Sequence, residues 1–212
     1  MIIAICGPSG AGKSMLESEL KRMGVKSVVN CTTREKRPGE IEGVDYYFKS
    51  VEQYKDMLEN DKFCVSEKYS GDRYYGTLKE DIVNVSKSDD LYTIVVTPNG
   101  MRAIDSIVED KSKLLKVMVM ASLGVRVKRY IDRLGDINFN FDDMNEINAR
   151  VNRDFGMFLN MEDYCDMVLD NSKDARYNHT GFGSITILAE QVLKEIEFRQ
   201  KYKEAEMVII PY

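Results

Sequence analysis

Short apolar runs alternate along the chain with segments whose apolar residues recur every three to four positions. Ile2, Ile3, Ala4, Ile5 and Cys6 make the first run, and "LYTIVV" (91–96), "LLKVMVM" (114–120) and "DMVLDN" (166–171) follow. Short continuous apolar runs predict strands buried on both faces, as in a parallel sheet. Between them, Leu16, Leu20 and Met23 stand at helical spacing with Gly24 at the expected stop, and "NGMRAIDSIVED" and "SLGVRVKRYIDRLG" repeat that spacing, the second with Ser122 as its cap. The alternation predicts an α/β fold with helices on both faces of a parallel sheet. A final amphipathic helix is expected from Ser184 to about Glu204, followed by the apolar tail "MVIIPY", to which no role attaches.

From about Val28 to Thr77 the pattern changes. Tyr, Thr, Arg and Gly dominate, and "YYFKS" and "FCVSEKYS" have a period of two, which predicts a small, mostly β lobe inserted after the first helix. One short helix should interrupt it, with Ser50 as N-cap and Gln53 completing a capping box. The polar stretch "DINFNFDD" (136–143) reads as a loop between two helices, the tip of a lid. The expected organisation is a single domain over 1–212, with a core of 1–29, 78–123 and 156–204, a lobe of 30–77 and a lid of 124–155.

The chemistry begins at the first strand-to-helix turn. Gly7, Pro8, Ser9, Gly10, Ala11, Gly12, Lys13 and Ser14 fit G-x-x-x-x-G-K-[ST] without a gap, in the strand and helix context the phosphate loop requires. Such a turn points several backbone N–H groups at one spot and adds the positive end of a helix dipole, so it holds phosphate. Lys13 would reach the outer phosphates of a nucleoside triphosphate, and the Ser14 hydroxyl would ligate the Mg²⁺ that bridges them. A glycine-rich turn that binds nothing would not need the full pattern.

Composition narrows the picture. The 212 residues are 43% hydrophobic and 31% charged, enough for one well-buried core with a small inserted lobe. A net charge of -5 argues against nucleic acid as the partner. The four cysteines, Cys6, Cys31, Cys64 and Cys165, include no C-x-x-C pair and read as reduced thiols. The apolar start is short and lacks a basic flank, and no membrane span appears, so a cytoplasmic location without membrane contact is expected. Monomer and homodimer both remain open.

A second cluster lies in the inserted lobe, in "NCTTREKRPGEIEGVDYYF" (30–48) and "YSGDRYYGT" (69–77). Arg34 and Arg37 flank a short segment ending in a Pro-Gly turn, and two guanidinium forks can converge on one anion, joined by the phenols of Tyr46 and Tyr75. Taken alone, the cluster is also compatible with a solvated basic loop.

These residues resemble the guanylate kinases, whose GPSG-x-GKS, TTR-x-x-R-x-GE-x-x-G-x-DY-x-F and YYG-[ST] motifs occur here in order over about residues 1–171. The resemblance implies a P-loop nucleoside triphosphate hydrolase-like parallel sheet flanked by helices, with an inserted nucleotide-monophosphate-binding lobe and a helical lid. It implies phosphoryl transfer from ATP, with Mg²⁺, to GMP or dGMP. By the same resemblance Arg34, Arg37, Tyr46 and Tyr75, with Glu40 in the same motif, surround the acceptor phosphate, and Thr77 lies near guanine. It further implies that Arg129, Arg133 and Arg150 close over the ATP phosphates. Arg126, Arg129 and Arg133 also share a helical face by spacing, which a solvated basic stripe would explain as well.

The departures concern the base. Where the family carries a serine, a glutamate and an aspartate, this chain has Asn30, then Val65 or Ser66, then Val95, with Glu67 close by. An amide at position 30 both donates and accepts, which suits the O6 and N7 edge of guanine, and Glu67 would supply the missing carboxylate if it turns into the pocket. "VVTPNG" replaces the family's acidic pair, which leaves Mg²⁺ to Ser14, phosphate oxygens and water. The acceptor phosphate is already ionised, so no general base is needed. Catalysis then rests on positioning and on charge neutralisation by Lys13, Arg133 and Arg150, and the single histidine, His179, reads as a surface loop residue. The alternatives are a nucleoside monophosphate kinase with another base preference and a non-catalytic module that binds a phosphopeptide; an intact ATP loop argues against the second.

Overall fold

The structure, a computed structural model, describes the backbone of residues 1–37, 39–70, 72–134, 141–172 and 184–208, and the side chains of 1–37, 39–68, 72–132, 144–172 and 185–201. In chain order the elements are β1 (Ile2–Cys6), α1 (Lys13–Arg22), β2 (Lys26–Ser27), β3 (Asn30–Thr32), β4 (Tyr46–Phe48), α2 (Val51–Glu59), β5 (Phe63–Ser70), β6 (Arg73–Leu78) and α3 (Lys79–Lys87). Then come β7 (Tyr92–Val95), α4 (Pro98–Ile107), β8 (Leu114–Met120), α5 (Leu123–Leu134), α6 (Phe141–Met157), α7 (Met161–Tyr164), β9 (Met167–Asp170) and α8 (Ser184–Val208). One sheet has the strand order β2-β7-β1-β8-β9 and the other β4-β3-β6-β5. The pairs β2–β7 and β8–β9 are parallel, as the continuous apolar runs predict. Two compact units divide the chain: Met1–Ala4 with Val25–Leu114, and Ile5–Gly24 with Leu115–Tyr212.

The first unit contains the whole of the second sheet. β3 runs parallel to β4, while β6 is antiparallel to both β3 and β5. Directly paired residues share a face, so Cys31, Tyr47, Ser66 and Gly76 point one way. On that side Tyr54 of α2 stacks on Phe63 and Tyr74, with ring centroids 4.5 and 5.3 Å apart. The capping box at the start of α2 is formed: Ser50 Oγ accepts from Gln53 N–H at 3.1 Å, and Gln53 Oε1 from Ser50 N–H at 3.0 Å. α4 is capped by Thr97 and has Pro98 in its first turn.

The second unit builds its core from Leu16 and Leu20 of α1, Val117, Met118 and Val119 of β8, and Leu188, Ala189, Val192 and Ile196 of α8, all buried. α1 lies along α8, and Thr186 Oγ1 donates to Glu19 at 2.8 Å. Gly24 takes a left-handed φ of +96° just after α1, the expected stop. Residues 141–143, read from sequence as loop, are the first turn of α6: their two aspartates suit the positive end of a helix dipole. Residues 135–140, His179 and the last four residues lie outside the described residues.

Candidate functional site

In the second unit, the turn from β1 to α1 is shaped by its glycines. Gly7, Gly10 and Gly12 take φ of +148°, +79° and +105°. Space demands them too: a Cβ on Gly7 would stand 2.1 Å from the Val119 carbonyl oxygen, and one on Gly12 2.2 Å from Asn171 Nδ2. The loop's carbonyls are held one after another. Lys13 Nζ donates to the oxygens of Gly7 and Pro8 at 2.7 and 3.0 Å, and Arg126 Nε to that of Ser9 at 2.8 Å. Arg129 Nη1 donates to Gly10 and Ala11 at 3.1 and 3.2 Å, and Asn171 Nδ2 to Ala11 at 2.8 Å. Across a planar trans peptide, a carbonyl and the next N–H point in opposite directions. Pinning the Ser9 and Ala11 carbonyls therefore turns the Gly10 and Gly12 N–H groups the other way, at the N-terminus of α1, into an anion cradle. Ser14, in the first turn of α1, is exposed.

Arg126 and Asp154 clamp the outer edge of this loop. Asp154 accepts the Ser9 N–H at 2.8 Å and a bond from Arg126 Nη2, and Arg126 holds the Ser9 carbonyl, so one peptide segment is gripped by its donor and its acceptor. A shallow, half-open hollow lies beside it, lined by Ser9, Gly10, Arg126, Tyr130, Arg150 and Asp154 among others. Arg150 lies over the Tyr130 ring at 5.0 Å and bonds Glu146 at 2.5 Å. That bond is the first cause, and one from Tyr130 the second, that hold the Glu146 carboxyl below its usual range. The Arg133 side chain lies outside the described residues.

In the first unit, the face of the second sheet opposite Tyr54 gathers most of the residues expected to hold the acceptor. The pairs Asn30 with Tyr46, Thr32 with Phe48, Thr32 with Tyr75, Val65 with Thr77, and Glu67 with Tyr75 bring these side chains to one side. At one end the Arg34 guanidinium lies over the rings of Tyr46 and Phe48, at 5.4 and 5.8 Å, and bonds Tyr75. Tyr46 and Tyr75 meet edge to face at 6.1 Å. Arg34 also grips Glu40 with two bonds, at 2.7 and 3.0 Å. Arg34 first, and the Arg37 backbone N–H second, lower the Glu40 carboxyl to about 2, so it remains a fixed anion that aims Arg34. The Arg37 side chain is exposed.

At the other end, Thr77 Oγ1 donates to Asn30 Oδ1 at 2.7 Å, which leaves the Asn30 amide N–H groups as the donors of that side chain. Glu67 stands on the same face and accepts a bond from Thr97 Oγ1. Ser66 points the opposite way and bonds the Tyr54 hydroxyl at 3.0 Å. The register thus settles which residue of β5 faces the site: Glu67 and Val65 do, and Ser66 belongs to the packing beneath. Burial pushes Tyr54 up to about 12, against the Ser66 bond, and pushes the thiols of Cys31 and Cys64 up to about 11. All four cysteines are free thiols.

The guanylate kinase family model matches residues 1–173. The chain belongs to the guanylate kinase family. It is 32% identical over 136 residues to the guanylate kinase of Mesomycoplasma hyopneumoniae, covering 63% of this chain and 68% of that protein. With the guanylate kinase of Caldanaerobacter subterraneus it shares 33% over 132 residues, 61% of this chain and 64% of the relative. The crystal structure of guanylate kinase from Anaplasma phagocytophilum superposes with a TM-score of 0.65 over 94% of this chain and 86% of that one at 18% identity, which supports the fold. Among the described residues no helix is long and apolar enough to cross a membrane.

Against the family's motifs, the structure gives roles to residues that the sequence marks weakly or not at all. Arg126 carried a signal, its place in the basic stripe, and it holds the phosphate loop together with Arg129. Asp154 and Asn171 carried none. They are short polar residues, one within α6 and the other just after β9, and only the folded chain brings them to Ser9 and Ala11. Thr97 was visible only as part of "VVTPNG", the stretch that lacks the family's acidic pair.

Proposed function

We propose that the chain transfers the γ-phosphoryl group of ATP to GMP or dGMP, in line and with Mg²⁺. The observation that carries this reading is the sheet face on which a carboxylate, Glu67, and an amide, Asn30, share a surface with the Arg34, Tyr46 and Tyr75 cluster. Guanine offers N1–H and an exocyclic amine on one edge and the O6 and N7 acceptors on the other. Glu67 accepts from the first edge, and the Asn30 amide donates to the second. Arg34, Tyr46 and Tyr75 hold the acceptor phosphate, with Arg34 aimed by Glu40, and Arg37 adds a second guanidinium from the same loop.

On the donor side, the loop from Gly7 to Gly12 cradles the ATP phosphates with the N–H groups of Gly10 and Gly12, while the Ser9 N–H stays with Asp154 and the Ala11 N–H with the Pro8 carbonyl. Lys13, which in the structure bonds the Gly7 and Pro8 carbonyls, exchanges those partners for phosphate oxygens. Arg129 acts by holding the loop's carbonyls. Arg150 and Arg133 neutralise the charge that spreads over the transferred group, Arg150 after leaving Glu146. The Ser14 hydroxyl suits Mg²⁺, a hard cation that takes oxygen ligands and keeps several waters, and so fits a site with one protein oxygen beside phosphate. When bound, that ion screens the phosphate charges. An oxygen of the acceptor phosphate is the nucleophile, and with no proton to remove the protein's task is alignment and exclusion of water.

The test is turnover with ATP and Mg²⁺ against GMP, dGMP, AMP, CMP, UMP and dTMP. GMP and dGMP should be the preferred acceptors. A preference for any other base would overturn the guanine reading, and no turnover with any of them would overturn the enzymatic one.

A further inference from the structure

We propose that Thr97 is a specificity-positioning residue, whose hydroxyl fixes the Glu67 carboxylate so that recognition of the guanine edge depends on a residue outside the sheet that forms the acceptor face. The inference rests on the assignment of Glu67 to the base, and it names the device that makes this carboxylate selective. Glu67 stands on β5, the edge strand of its sheet, and is only half-buried. A glutamate there has three side-chain torsions to lose when a base docks, so an unanchored carboxylate discriminates poorly.

The anchor is built from α4, which packs against β5. Thr97 is the N-cap of α4, and its oxygen accepts the Gly100 N–H at 3.1 Å. A hydroxyl has one proton. With a lone pair committed to the helix cap, the proton is directed away from the cap, and the structure directs it to Glu67 Oε1. The donor is itself rigid: Thr is stiff at χ1, and Pro98 confines the backbone of Thr97, the residue before it, to the extended conformation it adopts. Gly100 completes the fit, since a Cβ there would stand 3.0 Å from Val96 Cβ and 3.5 Å from Thr97 Oγ1. One carboxylate oxygen is therefore held by the protein, and the other is presented to N1–H and the exocyclic amine. A bare carboxylate at this place would have to order itself as the base arrives.

A plain helix cap predicts something different, namely lost stability with unchanged recognition. The experiment therefore measures the full chain and the variants Thr97→Val, Thr97→Ser and Glu67→Gln, alone and as the Thr97→Val/Glu67→Gln pair. Read-outs are kcat and KM for GMP, kcat/KM for AMP, KM for ATP and the melting temperature. We expect Thr97→Val to raise KM for GMP about tenfold or more and to narrow the GMP to AMP ratio, with KM for ATP unchanged. Thr97→Ser, which keeps the proton and the cap, should restore both values. In the Glu67→Gln background, Thr97→Val should add little, because the two residues act as one unit. If Thr97→Val does not fold, Thr97→Ala assayed in the cold answers the same question. A GMP-selective wild type whose Thr97 variants lose melting temperature but keep KM for GMP and the GMP to AMP ratio overturns this inference alone. A wild type with no GMP preference overturns the assignment of the base instead.

Discussion

Removing the Asp154 carboxylate should loosen the phosphate loop, and the structure sets the size of the effect. Asp154 is 9% exposed and the Arg126 side chain 14% exposed. In Asp154→Ala, the Ser9 N–H loses a charge-assisted acceptor and the Arg126 guanidinium loses its counter-ion in a poorly hydrated place. Hydrogen bonds to charged groups contribute about 1.5–3 kcal/mol each, and an uncompensated buried charge costs more. Some water can reach Arg126, so a net loss of roughly 2–4 kcal/mol is expected. For a chain of this length that lowers the melting temperature by roughly 5–15 °C. Arg126→Met in the same chain removes the stranded charge, so the double variant should be more stable than the sum of the single losses implies, with a coupling of about 1–3 kcal/mol. Urea unfolding of the four proteins measures the cycle, and KM for ATP should rise about tenfold in Asp154→Ala because the loop is no longer held in its binding geometry. An Asp154→Ala protein within about 0.5 kcal/mol of wild type, with additive effects in the cycle, would refute the clamp.

Lys13→Ala should reduce turnover about a hundredfold or more with the fold kept, since its amine neutralises charge that grows during transfer and its side chain is not part of the apolar core; turnover within a few-fold of wild type would contradict that role. Glu40 is held at about 2, below its usual 4.5, so the stabilisation it shares with Arg34 is present above pH 4.5 and is lost as pH falls toward 2. A carboxyl NMR titration of Glu40 with its midpoint at 4 or above would show the pair to be absent in solution. Gly76→Ala should cost about 1–3 kcal/mol in chemical unfolding, because its Cβ would stand 2.3 Å from the Tyr54 hydroxyl and 2.7 Å from Phe63 Cδ1; a neutral effect would mean that α2 sits farther from the sheet.

Local signals carried far in this chain. The runs at 2–6, 114–120 and 166–171 are strands within a residue or two, because a strand buried on both faces must be apolar throughout. The Ser50 capping box needs residues only three apart, and it forms. The phosphate loop was legible for the same reason: its glycines, lysine and serine are contiguous, and their φ angles follow from the pattern. The orientation of β5 was not legible. Val65, Ser66 and Glu67 are consecutive, and a shift of one residue exchanges the faces, so only pairing with β6 decides that Glu67 faces the site. Nor was the grip of Asp154 on Ser9, which links residues 145 apart in sequence. Residues 141–143 differ from the loop that their polarity predicts, since "FDD" suits a loop and a helix start equally, and α6 begins at Phe141.

Single-turnover transfer tests the central claim most directly. With enzyme in excess over ATP labelled in its γ-phosphoryl group, together with Mg²⁺ and GMP, the label should appear in the β-phosphate of GDP, one for one with ADP formed. With AMP in place of GMP, transfer should be far slower. Label released as inorganic phosphate, or carried at equal rates to AMP and GMP, would contradict the account.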